Sequence, residues 1–138
     1  MRKKLISLFL ATIMVLSLGA SFCFAEEGIT PYSTHSVSLT PVRHSDTYAD
    51  ADVHVSFSGV ADNYTIAVVL QEKNGSSWRT AQGVYSSATY FRGTKKQLVT
   101  VSQSWTVKKG MLYRLKIVST DEYNNGSSYT DTTYSDPF

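Results

Sequence analysis

Ala51-Asp52-Val53-His54-Val55-Ser56-Phe57-Ser58 alternates apolar and polar residues without a break, and Tyr64-Thr65-Ile66-Ala67-Val68-Val69-Leu70 takes up the same rhythm six residues later. A period of two is the period of an extended chain: one set of side chains faces a core and the other faces water. In the first run Asp52, His54, Ser56 and Ser58 form the wet side. In the second, Ala67 and Val69 make the opposite face apolar as well, which predicts a central strand covered on both sides. Between the runs, Gly59 to Asn63 reads as a turn. These two runs decide the fold class, because no long segment of the chain carries the 3.6-residue period of an amphipathic helix.

Working outward, Val37, Leu39 and Val42 predict a first strand, and Pro41 places it at an edge because proline has no N–H to give to a ladder. His44 to Asp50 is a polar loop. Lys73-Asn74-Gly75-Ser76 signals a hairpin, since Asn-Gly tolerates the positive φ angles of a two-residue turn, and Trp78 and Thr80 lie on the returning strand. Tyr85 to Thr94 reads as a loop or weak strand. Leu98 to Gln103 is a strand preceded by Lys95-Lys96, charges that guard an edge. Met111, Tyr113, Leu115 and Ile117 alternate with Arg114 and Lys116; Asp121 to Gly126 is a polar turn; Tyr129 to Tyr134 is the last strand. The expectation is about seven strands in about a hundred residues, the size of a two-sheet sandwich. Its core should include Val53, Val55, Phe57, Tyr64, Ile66, Val68, Leu70, Tyr113, Leu115 and Ile117.

The start of the 138-residue chain has a different character. Arg2, Lys3 and Lys4 precede an uncharged apolar stretch from Leu5 to Leu18, and Cys23-Phe24-Ala25 offers small residues where a signal peptidase inspects the chain. The layout predicts a helical secretory signal over 1–25 cleaved after Ala25, a leader over 26–35 and a β-domain over 36–138, hence a secreted, extracellular protein. A retained anchor is the competing reading, since an apolar helix of roughly 20 residues spans a bilayer. A lipid-anchored Cys23 is disfavoured by bulky Phe22 before it.

Cleavage changes the charge balance. Without Arg2, Lys3 and Lys4, ten basic residues stand against 11 acidic ones, so the formal +2 of the whole chain becomes −1. That offers no strong general basic face and argues against a nucleic-acid binder. The only cysteine, Cys23, lies in the signal. The mature domain would hold together by its core alone, where small secreted domains often use disulfides. With the short Lys-rich signal, this suggests a Gram-positive bacterial source.

The pattern resembles a fibronectin type III domain. Val53-x-Val55-x-Phe57 is similar to that family's second-strand motif, with Phe57 where Trp is usual, and Tyr64-x-Ile66-x-Val68 followed by Asn74-Gly75 and Trp78 is similar to its third-strand hairpin. Val107 to Ile117 resembles the turn and tyrosine corner that lead into the sixth strand, with Lys109 in place of the usual Pro. There Tyr113 would bond back to the backbone of the preceding turn. The resemblance, over about residues 36 to 135, implies a fibronectin type III or immunoglobulin-like sandwich and no activity. The chain also resembles small secreted Gram-positive proteins that carry no assigned function.

Several constellations invite a chemical reading. His35, His44 and His54 with Asp46 or Asp50 and the many serines permit a Ser-His-Asp site, but nothing resembles a nucleophile elbow, so no catalytic residue is expected. Asp50, Asp52 and His54 share one strand face at about 7 Å spacing, yet lack the spacing of a calcium loop; no metal or cofactor is expected. Trp78, Tyr85, Tyr90 and Phe91 with Arg92 are the best ligand-binding candidates, because flat rings stack on sugars and arginine supplies hydrogen bonds. Arg92, Lys95, Lys96, Lys108 and Lys109 would attract anionic wall polymers if two strands brought them to one end. The expectation is a non-catalytic binding or adhesion module, monomeric by default and without a stable membrane span, whose partner is an extracellular glycan, wall polymer or protein. A small secreted toxin or bacteriocin-like effector is the alternative, and a secreted hydrolase the lesser one.

Overall fold

The computed structural model describes residues 35–138; the expected signal over 1–25, its cleavage site and nearly all of the leader lie outside the described residues. The described part is all-β, with six antiparallel strands in one curled sheet: β1 (Ser36–Arg43), β2 (Tyr48–Asn74), β3 (Ser77–Thr80), β4 (Ala88–Thr106), β5 (Tyr113–Glu122) and β6 (Ser128–Tyr134).

Six strands stand where seven were expected because one expected interruption is absent. Gly59 to Asn63 does not reverse the chain: it is a bend inside the 27-residue β2, whose register against β4 shifts between Ser56 and Ala61. An extra residue in one strand kinks it and flips which side chains face inward. Ala49, Ala51, Val53, Val55 and Phe57 are buried before the bend, and Ile66, Val68 and Leu70 after it, so the buried positions change from odd to even. Tyr85 to Thr94, expected as a loop or weak strand, is strand from Ala88 onward and runs continuously into the Leu98 segment as β4, following β2 round the same corner.

β2 is therefore the spine. β4 flanks it on one side along both halves, and β1 then β5 flank it on the other, with β6 outside β5. Both halves contribute inward residues to one core, which holds all ten expected residues, Tyr64 among its partly buried members, together with Trp105, whose indole Nε1 donates to the Ser86 carbonyl at 3.0 Å. The hairpin forms as expected, but its turn is Gly75-Ser76, one residue on from Asn-Gly: Gly75 alone takes a positive φ of 60°, and Asn74 pairs with Ser77.

Polar residues fasten the corner and one end. Asp62, at the bend, pairs with Lys95 of β4 and accepts from the Asn124 backbone N–H at 2.6 Å. At the end of the core, Glu72 is buried; Arg79 Nε donates to its Oε1 at 2.9 Å and the Gln82 N–H to its Oε2 at 3.2 Å. Arg43 donates to the Met111 and Lys108 carbonyls at 2.7 and 2.8 Å, clamping the turn before β5.

Candidate functional site

Beyond the bend, every second residue of β2, β4, β5 and β6 faces outward, and the register sets them side by side. Tyr90 lies beside Ala67, Ala67 beside Val118 and Val118 beside Thr132; the next row is Ala88, Val69, Lys116 and Tyr134; the row on the other side is Arg92, Thr65, Thr120 and Thr130. At the β3 end, Lys73 pairs with Trp78 and Gln71 with Arg114. The result is a low apolar floor of Ala67, Val69 and Val118, with Tyr90, Tyr134 and Trp78 around it and Lys73, Arg92, Arg114 and Lys116 among them. One carboxylate, Glu122, sits at the far end of this face.

Three of these four cations, Lys73, Arg92 and Arg114, are held against rings. The Arg114 guanidinium carbon lies 4.6 Å from the Trp78 ring centre and 4.4 Å from that of Tyr134, and its Nε donates to Gln71 Oε1 at 2.9 Å. Lys73 Nζ lies 5.0 Å from the Trp78 ring centre, and the Arg92 guanidinium 5.7 Å from that of Tyr90. Each contact of this kind is worth about 0.5–1 kcal/mol at an exposed site, so it orients a cation without neutralising it. Among the described residues, none of these four cations has a carboxylate partner. By contrast Arg79 and Lys108 face Glu72, Lys95 faces Asp62 and Lys109 faces Asp46.

The structure thus brings three of the five expected ligand residues, Trp78, Tyr90 and Arg92, onto one sheet face, with Trp78 half-buried and Tyr90 60% exposed. Phe91, one residue out of phase, pairs with Ile66 and packs against the core. Tyr85 is 92% exposed in the β3–β4 connection, off the sheet face. Lys73, Arg114, Lys116 and Tyr134 were missed, although Arg114 and Lys116 alternate with core residues Tyr113, Leu115 and Ile117 and so had to face outward. The basic residues Arg92, Lys95, Lys96, Lys108 and Lys109 do not gather at one end, because β2 lies between β4 and β5 and Lys95, Lys108 and Lys109 serve three different carboxylates.

The outer face of the other half is acidic and hydroxylic. His44 Nε2 meets Asp50 at 2.9 Å, Ser102 Oγ donates to Asp52 at 2.6 Å, and His54 Nδ1 meets Thr100 Oγ1 at 2.9 Å. Each candidate ligand has a different neighbour, and among the described residues no three His, Cys, Asp or Glu side chains converge on a metal position.

A second constellation was not foreseen with these partners. The inward series of β5 turns polar after Ile117, and His35 Nε2 meets Ser119 Oγ at 2.7 Å while His35 Nδ1 lies 3.4 Å from Asp121 Oδ1. Tyr123 donates its hydroxyl to Asp121 Oδ2 at 2.7 Å and lies 3.1 Å from Ser58 Oγ. Burial, with the adjacent carboxylate, pushes the Tyr123 phenol above its ordinary range. The order Ser, His, Asp is that of a hydrolytic triad. Ser119 and Asp121 are wholly buried, however, so a substrate carbonyl has no path to the hydroxyl. The network ties the start of β1 to β5. Its signal was legible: 35, 37 and 39 share one parity, as do 115, 117, 119 and 121.

Among the described residues no helix is long and apolar enough to cross a membrane. No protein family, no curated protein and no solved structure matches the chain.

Proposed function

We propose that the chain is a secreted, non-catalytic binding module, and that the outward face of β3, β2, β4, β5 and β6 engages an anionic polymer of the cell surface. The observation that carries this reading is the set of four cations without carboxylate partners, interleaved with three aromatic rings on one sheet face. Sugar rings stack on Tyr90, Trp78 or Tyr134, and carboxylate or phosphate groups along the polymer meet Lys73, Arg92, Arg114 and Lys116. An extended polymer fits a shallow face better than a deep pocket does. The enclosure of Ser119 supports the non-catalytic half of the proposal. Export rests on the signal-like residues 1–25. A sandwich of fibronectin type III or immunoglobulin-like kind belongs to the same proposal, supported by two halves sharing one core and by the Tyr113 hydroxyl, which accepts the Lys108 N–H at 3.0 Å.

The test is co-sedimentation of the expressed chain with insoluble bacterial cell walls, intact or stripped of their anionic polymers, across a salt series. Retention on intact walls, reduced at least tenfold by R92E/K116E and by high salt, is the expected result. Equal retention on stripped walls, or by the double variant, overturns it.

A further inference from the structure

A curled sheet that does not close leaves edges, and free edges recruit other strands unless something blocks them. β1 carries Pro41 and Arg43; β6 carries Asp131 and runs into Asp136-Pro137; β3 has only four residues. β4 differs. Among the described residues it pairs with β2 alone, so its other side has no strand along 19 residues. Its first half is guarded by Arg92, Lys95 and Lys96, and Lys95 takes a left-handed φ of 54° that breaks the flat edge. Its second half, Leu98-Val99-Thr100-Val101-Ser102-Gln103-Ser104-Trp105-Thr106, has no charge, no proline and no glycine. It is the one long edge segment without a guard among the described strands, and Leu98 on it is 62% exposed.

We infer that Leu98–Thr106 is a pairing edge, and that its partner is the same segment of a second copy, joined antiparallel across a two-fold axis. The occupant follows from the segment's own composition. A two-fold axis at Val101 sets Leu98 opposite Ser104 and Thr100 opposite Ser102 of the second copy, with Lys96 opposite Thr106. Hydroxyl side chains face one another on the outer surface, pairs that favour strand association. Within Leu98–Thr106 no cation meets a cation, so no charge in the paired segment opposes self-pairing. A two-fold contact is also self-complementary, the commonest way a chain forms a closed assembly. The cationic face lies on the other half of the sheet and stays open in such a dimer, so this inference is independent of the polymer reading.

Sedimentation velocity of the expressed chain, over a concentration series from about 1 to about 100 µM, tests it. The unaltered chain is expected to dimerise. L98K/S104K, which sets lysines opposite each other at two exposed positions, is expected to weaken the dimer at least tenfold while its circular dichroism stays unchanged. L98K and S104E should each weaken the dimer alone, and mixing them should restore association, because the introduced lysine of one copy then faces the introduced glutamate of the other. A monomer at every concentration, or a dimer that survives L98K/S104K, overturns the inference. A mixture that fails to regain association overturns the Val101 register.

Discussion

The hydroxyl of Tyr113 accepts the backbone N–H of Lys108 at 3.0 Å, across five residues of the turn that enters β5. The ring is wholly buried, with the Arg43 guanidinium 5.8 Å and the Phe138 ring 6.5 Å from its centre. A buried phenol needs a partner, and a turn N–H needs an acceptor, so each group satisfies the other. Tyr113→Phe removes the oxygen and keeps the ring. The expected loss is about 1 kcal/mol in urea unfolding, with an unchanged slope. A Tyr113→Phe chain as stable as the original would mean that this bond contributes nothing.

Tyr64 of β2 lies directly across from Gly93 of β4 with its ring laid over the glycine. A Cβ at position 93 would come within 2.6 Å of the Tyr64 Cζ, so the ring must move. Tyr64 also lies 5.6 Å from Phe57, and the displacement passes into the core at the bend. Gly93→Ala should destabilise by about 1–3 kcal/mol, the usual cost of overpacking. Gly93→Ala/Tyr64→Leu should regain part of it, and a double variant no more stable than Gly93→Ala refutes the steric account.

The two fastening carboxylates predict how stability varies with pH. At Asp62, hydrogen bonds from Lys95 and the Asn124 N–H hold the carboxyl below its ordinary value of 3.8. At Glu72, burial alone would raise the carboxyl, but the bonds from Arg79 and the Gln82 N–H, with the charges of Lys108 and Arg79, outweigh it and leave it below 4.5. A carboxyl whose folded value is depressed adds stability that is fully present above its unfolded value and disappears as pH falls through the folded one. The stability these two carboxylates add should therefore hold constant from neutrality to about pH 5 and fall progressively below about pH 4. Asp62→Asn and Glu72→Gln should each be less stable at neutral pH and shallower in that acid decline. A decline as steep in both variants would place its origin elsewhere.

Ser119→Ala separates the two readings of the buried network. It leaves His35 Nε2 without its partner at 2.7 Å and should cost about 1–2 kcal/mol. No hydrolysis of a small activated ester should be lost, since the hydroxyl is enclosed. Ester hydrolysis by the original chain that vanishes in Ser119→Ala would restore the hydrolase reading.

The fold class was legible because period-two alternation needs no tertiary information. The strand count was not, for a reason visible in residues 51 to 70. Ala51, Val53, Val55 and Phe57 are odd, Tyr64, Ile66, Val68 and Leu70 even, and a change of parity arises equally from two strands with a turn or from one strand with a bulge. Gly59 to Asn63 has turn composition, so the local signal favours reversal. What decides for the bend is β4, which accompanies β2 on both sides of it, and that pairing is non-local. The same limit applies to the face bearing Tyr90 and Arg92. Parity alone puts Phe91 opposite to Tyr90, and Arg114 and Lys116 opposite to Leu115. Which strands stand side by side, and hence that Tyr90 and Lys116 share a surface, comes only from register.

The two tryptophans report on that surface separately. Trp105 is buried and bonded to the Ser86 carbonyl, whereas Trp78 is half-buried on the outer face with Arg114 and Lys73 against it. A polyanion that draws the Arg114 guanidinium or the Lys73 ammonium toward its own charges changes the polarity at the Trp78 ring and leaves Trp105 untouched. Titrating the chain with a soluble anionic wall polymer should shift or quench part of the tryptophan emission, with a midpoint that rises with salt as screening grows. Trp78→Phe should abolish the response, and Trp105→Phe, if folded, should keep it. Lys116→Glu should move the midpoint to higher polymer concentration without altering the emission of the free chain, because the cations stacked on Trp78 are Lys73 and Arg114, and Lys116 stands beside Val69 and Tyr134. A response carried by Trp105, or one indifferent to Lys116→Glu, would move the binding site away from this face.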